Sequence, residues 1–206
     1  TARGVNGVGL VGEAGVSDGI TIDASPPQGV VCWDDGVYSG SQTTIHATWT
    51  AVDPDSGIAS YEYCVGTAPG LDDAAPWLNV GEAVEHTRTD LALQNGVTYY
   101  VTVVAVNNAG GRSDPASSDG ITLDLTPPST PEVSDTGQYW GYRTSIYAGW
   151  TPASDPESGV SAYRMSIGTS AGATDVAAWL SVGNVTEFTR TGLMLQDGVT
   201  YYINVQ

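Results

Sequence analysis

The chain has 206 residues, of which 23 are Asp or Glu and six are Lys or Arg, and its formal net charge at pH 7 is −17. Nucleic acids and anionic membranes bind proteins through cationic surfaces, so this charge argues against both as partners. No apolar run approaches the ~18 residues of a membrane span. The apolar content of 41%, with six Trp and eleven Tyr, suffices for small buried cores.

All the secondary-structure elements that we predict along the chain are short β-strands. Apolar and polar residues alternate, Thr, Val and Tyr are frequent, and turn-forming residues recur at intervals of roughly ten residues. Within residues 24–124 we predict seven strands, at about 28–33, 43–50, 58–66, 76–80, 84–91, 97–106 and 117–123. Such a pattern predicts an all-β fold made of antiparallel β-sandwiches.

The strand pattern occurs twice, because the sequence is internally repeated. Residues 17–23 (SDGITID) return 101 positions later as SDGITLD, and residues 93–100 (LQNGVTYY) return 102 positions later as LQDGVTYY. A period of this length corresponds to a small domain. We therefore expect three parts: 1–23 as the last strand of a preceding repeat, 24–124 as a complete domain, and 125–206 as a domain without its last strand. No Gly/Ser linker separates the domains, which predicts an extended rod.

The residues at the centre of each repeat resemble those of the fibronectin type III module. Trp49 lies in the second predicted strand, the run LQNGVTYYVTVVA covers residues 93–105, and Trp150 and Tyr201 occupy matching positions in the second repeat. The resemblance implies that both Trp residues are core residues. It also implies that Tyr99 and Tyr201 are corner tyrosines, whose hydroxyl groups bond to the backbone before strand F.

A second motif narrows the resemblance. The pattern D-x-x-S-G occurs at residues 53–57 and 155–159 and is followed in each repeat by Gly-Thr and by a Trp. This combination resembles the fibronectin-III-like repeats of long microbial and algal surface proteins. The resemblance implies an extracellular location, but the fold serves adhesion, spacing and ligand binding alike.

Two cysteines, Cys32 and Cys64, occur in the first repeat only, where the second has Val133 and Ser166. Their joint absence from the second repeat favours a disulfide formed in an oxidising compartment. Strand alternation argues the other way, because it turns Cys64 outward and Cys32 inward. The sequence leaves both states open.

Acidic residues in two equivalent turns are candidate metal ligands. Ca²⁺ prefers several hard oxygen ligands. The candidate Ca²⁺ ligands are Asp53, Asp55, Asp155 and Glu157, with Asp23 and Asp124 at the domain junctions as further candidates. The competing interpretation, which the small number of ligands favours, is a Pro–Gly turn capped by its own Asp. No other cofactor is expected, and no enzyme motif is present, so we do not expect catalysis.

Two further features concern the surface. Asn184 opens the sequon Asn-Val-Thr, which is a glycosylation site if the source is a eukaryote. Tyr139, Trp140 and Tyr142 form a group too dense to be wholly buried, which predicts an interface with sugar rings or with a neighbouring chain.

Two segments of the chain are expected to complete each other. Residues 17–23 form a last strand without a core, and the final strand of the chain is an open edge, which soluble proteins avoid. The candidate interface residues are Ile20 and Ile22 in the first segment and Tyr201, Ile203 and Val205 in the second. The turn at residues 6–10 also resembles the turn at 107–110. We therefore expect residues 1–23 to pair with a neighbouring copy or an adjacent repeat.

These observations predict an extracellular structural repeat protein at the cell surface, which forms the building unit of a filament, stalk or appendage. Its expected partners are copies of itself or adjacent repeats. One alternative is an adhesin or carbohydrate-binding module that takes glycans on exposed aromatic residues. The other is a spacer module attached to a secreted enzyme.

Overall fold

The computed structural model describes all 206 residues, Thr1–Gln206, and contains only strands, turns and loops. The all-β fold predicted from the sequence is confirmed. No helix has the length and apolarity that a membrane-spanning segment needs. The chain forms two compact units, one of residues 1–37, 43–93 and 97–121, the other of residues 38–42, 94–96 and 122–206.

The first repeat contains nine strands. They are β1 (Gln28–Asp34), β2 (Tyr38–Ser39), β3 (Ile45–Val52), β4 (Ile58–Gly66), β5 (Ala75–Asn79), β6 (Glu85–Arg88), β7 (Thr98–Asn107), β8 (Ala116–Ser117) and β9 (Ile121–Leu123). One sheet has the order β1-β3-β6 and the other the order β2-β9-β7-β4-β5, with β8 paired to β7. Every registered pair is antiparallel except β2 with β9.

The last predicted strand of this repeat is divided into β8 and β9, and Gly120 is the reason. Its φ is 100°, a value that L-residues with a side chain rarely adopt. A Cβ at this position would lie 2.7 Å from Cε1 of Tyr100. Its N–H donates to Oδ2 of Asp34 at 3.1 Å instead of to a neighbouring strand. The chain therefore bends here before β9 begins.

Alternation along β3 places Trp49 in the core of the first repeat, where the side chain is buried and the residue as a whole is 1% exposed. Its ring centroid lies 6.0 Å from that of Tyr61 and 5.4 Å from that of Tyr63. The indole N–H donates to the carbonyl of Ala83 at 2.9 Å, so the polar edge of the ring is satisfied. The sequence placed Trp49 in the second predicted strand and in the core, and this placement agrees with both.

The second repeat contains six strands: β10 (Val133–Ser134), β11 (Ser145–Trp150), β12 (Tyr163–Gly168), β13 (Ala177–Gly183), β14 (Glu187–Thr191) and β15 (Tyr202–Val205). Its sheets have the orders β10-β11-β14 and β13-β12-β15. The buried core includes Trp150, Tyr163, Met165 and Ile167. β15 is the equivalent of β7, but it pairs only with β12 and lies at the edge of its sheet.

The corner tyrosine is present in the second repeat. The hydroxyl of Tyr201 accepts the backbone N–H of Gln196 at 2.8 Å. Its counterpart Tyr99 is 4% exposed. The paired sheets and the core Trp make each repeat a β-sandwich, and the Tyr201 corner agrees with the resemblance to the fibronectin type III module.

Replacing Trp49 by Ala should destabilise the first repeat by about 3–5 kcal/mol, because a large cavity would open between the two sheets. Trp33→Ala is the matched control, since Trp33 lies on β1 and is 48% exposed. Chemical unfolding monitored by circular dichroism measures both variants. An equal loss of unfolding free energy in the two variants would contradict the conclusion that Trp49 on β3 points into the core.

Candidate functional site

The first acidic turn is organised by Asp53. Its Oδ1 accepts the backbone N–H groups of Asp55, Ser56 and Gly57 at 3.2, 2.9 and 3.2 Å. This is the capped turn that the residues Pro, Ser and Gly predict. Because N–H donors surround Asp53, the geometry here favours the capped turn over a cation site.

Asn107 closes this turn from the end of β7. Asn107 is buried, with 2% of its surface exposed. Its Nδ2 lies 2.9 Å from Oδ2 of Asp23, 3.0 Å from Oδ2 of Asp53 and 2.8 Å from the carbonyl oxygen of Ser25. The hydroxyl of Ser56 also donates to Oδ2 of Asp23. We call the side-chain amide of Asn107 with Asp23 and Asp53 the amide clamp.

The amide clamp changes the acidity of Asp53. The side-chain N–H of Asn107, followed by the backbone N–H of Ser56, lowers the pKa of Asp53 below its ordinary value. Each of these hydrogen bonds stabilises the carboxylate over the protonated acid. The clamp therefore needs Asp53 in its charged form.

The same Asn107 shapes the turn that follows β7. Its Oδ1 accepts the N–H groups of Ala109 at 3.1 Å and Gly111 at 2.6 Å, while its carbonyl accepts the N–H of Gly110 at 3.0 Å. The oxygen thus organises the turn and the nitrogen holds the acids. Sequence reasoning recognised Asn107 as a turn residue and missed its role as the donor of the clamp.

The second repeat has a corresponding acidic group. Oxygen atoms of Asp124, Asp155 and Glu157 lie within 4.8 Å of one another. Oδ1 of Asp155 accepts the N–H groups of Ser158 and Gly159 at 2.9 and 3.1 Å. Oδ2 of Asp155 and Oε2 of Glu157 are buried and have no hydrogen-bond partner. We call these three residues the open acidic group.

The open acidic group combines two of the predicted Ca²⁺ ligands with Asp124. A hydrogen bond from the Ser158 side chain lowers the pKa of Asp124, which keeps this carboxyl ionised. A cavity of about 480 Å³ adjoins the group and is lined by Asp124, Thr126, Asp155 and Ser158. Three carboxylates this close repel one another unless a donor or a cation lies between them, and the Asn95 amide donates to Oε1 of Glu157 at 2.9 Å. The Ca²⁺ prediction therefore stays open here.

The predicted interface residues of the N-terminal segment are exposed. Ile20 is 87% exposed and Ile22 is 79% exposed, whereas their repeat equivalents Ile121 and Leu123 are 5% and 1% exposed. The same sequence pattern is thus buried in one repeat and exposed in the other. Ile20 and Ile22 therefore have the apolar side chains of core residues, but no core of this chain packs against them.

Residues 1–16 nevertheless have the backbone pairing of a completed repeat. The bridges Ala2↔Gly15 and Val5↔Val11 correspond to the pairs Val103↔Ala116 and Val106↔Arg112, 101 positions later. The N–H of Gly12 likewise donates to the carbonyl of Gly4, as Ser113 does to Ala105. Through these isolated bridges the segment has the same backbone pairing as the end of β7 and the residues that follow it.

The complementary predicted residues lie on β15. Ile203 and Val205 are half-buried, and Tyr201 just before the strand is half-buried as well. In the first repeat β7 has β4 on one side and β8 on the other. β15 has a partner on one side only.

The predicted aromatic group lies at the surface of the second repeat. Tyr139, Trp140 and Tyr142 are 86%, 39% and 66% exposed. The rings of Trp140 and Tyr142 are 5.4 Å apart at an angle of 60°, and the indole N–H donates to the carbonyl of Ser145 at 2.6 Å. Asn184 is also exposed, in a turn before β14, and donates from Nδ2 to the carbonyl of Val160 at 2.8 Å.

The disulfide considered for Cys32 and Cys64 is wrong, since both are free, buried thiols. Cys32 lies on β1 and Cys64 on β4, in different sheets. Cys64 lies on the outer face of its sheet, as alternation predicts, but it is 0% exposed. Its Sγ donates to the carbonyl of Leu71 at 3.3 Å, so the loop after β4 covers this face of the sheet.

Comparison with known proteins gives similarity in structure only. No family model matches the chain, and no curated protein matches it. The crystal structure of the FN1–FN3 domains of chicken CNTN1 is 20% identical, with coverage of 98% of this chain and 69% of that chain and a TM-score of 0.46. Titin module A71 from human cardiac muscle is 24% identical, with coverage of 48% and 92% and a TM-score of 0.34.

Replacing Asn107 by Ala should raise the pKa of Asp53 towards its ordinary value and destabilise the repeat by about 2–3 kcal/mol, since several buried hydrogen bonds are lost. NMR titration of the Asp53 carboxyl carbon measures the pKa. The control is Asn108→Ala, which removes an exposed amide that donates to the carbonyl of Ser56 at 2.8 Å.

The stability of the first repeat should fall as the pH becomes acidic. Because the folded pKa of Asp53 is lowered, its contribution to stability is complete above the unfolded pKa of about 4 and is lost as the pH falls through the folded value. The wild-type repeat should therefore lose more stability between neutral and acidic pH than the Asn107→Ala variant does. Parallel pH profiles of the two proteins would contradict the clamp.

Both cysteines should be unreactive in the folded protein. Burial, with a smaller contribution from Asp34, raises the pKa of Cys32 to about 12, and burial raises that of Cys64 to about 11. Ellman's reagent should detect no thiol before unfolding and two thiols per chain in guanidinium chloride without reductant. If no thiol appears after unfolding, the protein carries the disulfide after all.

Proposed function

We propose that this chain is a structural repeat unit of an extracellular filament, stalk or appendage at the cell surface, in which the strand at residues 17–23 completes the second β-sandwich of a neighbouring unit. The observation that carries the proposal is the contrast in exposure between two copies of one sequence, of which only the second forms a strand. Ile20 and Ile22 are 87% and 79% exposed, while Ile121 and Leu123 close the first sandwich and are 5% and 1% exposed.

The apolar surface of this strand supports the proposal energetically. Burying one such side chain contributes about 1.5–3 kcal/mol, so the pair contributes several kcal/mol to an association. The first sandwich provides the template, because β9 supplies the same two positions within one chain. The neighbour of residues 17–23 needs a sandwich that lacks this strand.

The second sandwich has the matching edge. β15 is hydrogen-bonded to β12 alone, and its residues Ile203 and Val205 are only half-buried. An unpaired strand edge is a template for the addition of a strand. The same contact serves two arrangements, a separate copy of the chain or an adjacent repeat of a longer polypeptide.

The charge of the chain sets the conditions for association. At −17, free copies repel one another, and salt screens this repulsion. Association between copies should therefore be stronger at moderate ionic strength than in dilute buffer. The contact itself is apolar and made by backbone hydrogen bonds, so screening does not weaken it.

Binding of carbohydrate is a second candidate function, favoured by the aromatic group of Tyr139, Trp140 and Tyr142. Exposed aromatic rings stack on sugar rings, and two of these rings lie 5.4 Å apart. Titration with oligosaccharides, followed by tryptophan fluorescence in the wild type and in Trp140→Ala, separates this function from assembly. The assembly proposal does not need these residues.

The double variant Ile20→Asp/Ile22→Asp should prevent assembly of the 206-residue chain. The wild type should form concentration-dependent oligomers in light scattering coupled to size exclusion, and the variant should stay monomeric because the donated strand can no longer enter a core. The control is Val37→Asp/Val52→Asp, at positions that are 65% and 63% exposed in the first repeat. It should assemble like the wild type.

A synthetic peptide of residues 16–25 should bind to the monomeric variant and raise its melting temperature, since it supplies the strand in trans. The peptide with Asp at both Ile positions is the control. A wild type that stays monomeric at all concentrations, together with a peptide that does not bind, would overturn the proposed function.

A further inference from the structure

The turn at Asn6 has the same hydrogen bonds as the turn at Asn107. Oδ1 of Asn6 accepts the N–H groups of Val8 and Leu10 at 3.1 and 2.9 Å. Its backbone N–H donates to the carbonyl of Leu10, and its carbonyl accepts the N–H of Gly9, both at 3.0 Å. Every one of these bonds has its counterpart around Asn107, 101 positions later.

The difference between the two asparagines lies in the amide nitrogen. Nδ2 of Asn107 is held by Asp23, Asp53 and the carbonyl of Ser25. Asn6 is exposed, and its Nδ2 makes no hydrogen bond within the chain. The N-terminal segment therefore presents a donor in the orientation that the first repeat uses for its clamp.

The open acidic group has the matching acceptors, atom for atom. Oδ1 of Asp155 caps its turn as Oδ1 of Asp53 does, and this leaves Oδ2 of Asp155 buried and unpartnered where Oδ2 of Asp53 receives Asn107. The Ser158 side chain lies near enough to Asp124 to lower its pKa, and the equivalent Ser56 donates to Oδ2 of Asp23. No amide nitrogen contacts Oδ2 of Asp155, whereas the side-chain amide of Asn95 donates to Oε1 of Glu157 at 2.9 Å.

We infer that Asn6 of one unit inserts its side-chain amide between Asp124 and Asp155 of the neighbouring unit, so that an amide clamp locks each junction of the assembly. This inference rests on the proposed function, because the strand at residues 17–23 brings the Asn6 turn to the neighbour. The ligand of the open acidic group is thus a second copy of this chain. Glu157, which replaces Asp55, adds a third carboxylate acceptor near the amide.

Docking in this register changes one contact in the N-terminal segment. Residues 1–3 are the repeat equivalents of 102–104, and the neighbour already supplies these positions as 204–206. Residues 1–3 therefore separate from the return strand, and Gly15 exchanges its backbone bonds with Ala2, at 3.2 and 2.9 Å, for bonds to Val205 of the neighbour. Asn6 keeps its own turn throughout.

The decisive variant is Asn6→Asp, which keeps the oxygen that organises the turn and replaces the amide by a carboxylate. It should weaken self-association of the full chain at least tenfold in sedimentation velocity, because a carboxylate would face Asp124 and Asp155. The matched control is Asn79→Asp, where an exposed asparagine caps a turn through the N–H of Gly81 at 2.9 Å. It adds the same charge and should associate like the wild type.

A compensating change tests the partner. Asp155→Asn keeps the cap on Ser158 and supplies a donor, so the double variant Asn6→Asp/Asp155→Asn should recover part of the lost association. Unchanged association of Asn6→Asp would overturn the clamp and leave the proposed function intact. Absence of association in the wild type would overturn the proposed function, and the clamp with it.

A cation is the competing occupant of the open acidic group. Calorimetric titration of CaCl₂ into the monomeric Ile20→Asp/Ile22→Asp variant should show no heat of specific Ca²⁺ binding, because the inferred ligand of the group is an amide. Binding of Ca²⁺ that Asp155→Asn abolishes would assign the group to the metal and overturn the inference. Asp72→Asn, at an exposed acid in the loop after β4, is the control for non-specific binding.

Discussion

The side-chain amide of Asn107 is the contact on which the first repeat depends, and the proposed assembly uses the equivalent amide of Asn6. The Asn107 amide ties together three distant pieces of the chain: the entry to the domain at Asp23, the turn at Asp53 and the end of β7. A buried amide with its acceptors in place stabilises all three, whereas buried carboxylates without a donor destabilise the same fold. In the second repeat Oδ2 of Asp155 is buried without a hydrogen-bond partner, although the amide of Asn95 donates to Oε1 of Glu157.

The closing strand is the second constraint. A β-sandwich has to cover both its core and its strand edges, and β8 and β9 do this for the first repeat. The N-terminal segment has the same sequence, but its apolar side chains are exposed and it forms no strand within the chain. Donor strand and amide belong to one continuous segment, so a neighbour that accepts the strand also meets the amide. The two contacts would then form and break together, which gives a junction both affinity and register.

Prediction from the sequence succeeded where the evidence was local. The alternation along β3 and β7 located both strands and the core position of Trp49, since the side-chain period of a strand depends on neighbouring residues only. Alternation gave the facing of Cys64 but not its burial, because a loop folds over the outer face and places the carbonyl of Leu71 against the thiol. The division of the last strand at Gly120 was missed because it depends on contact with Tyr100.

The sequence by itself determined the all-β class, the two repeats, most strand positions and the core Trp residues, because repetition and alternation are properties of the chain order. It also marked Asp53, Asp155 and Glu157 as a group of interest, but it could not assign their roles. Only the tertiary structure decided that Asn107 fills the first group, that the second is open, and that the two cysteines stay apart. These outcomes depend on which loops and strand ends meet in space, and residues far apart in the chain make those contacts.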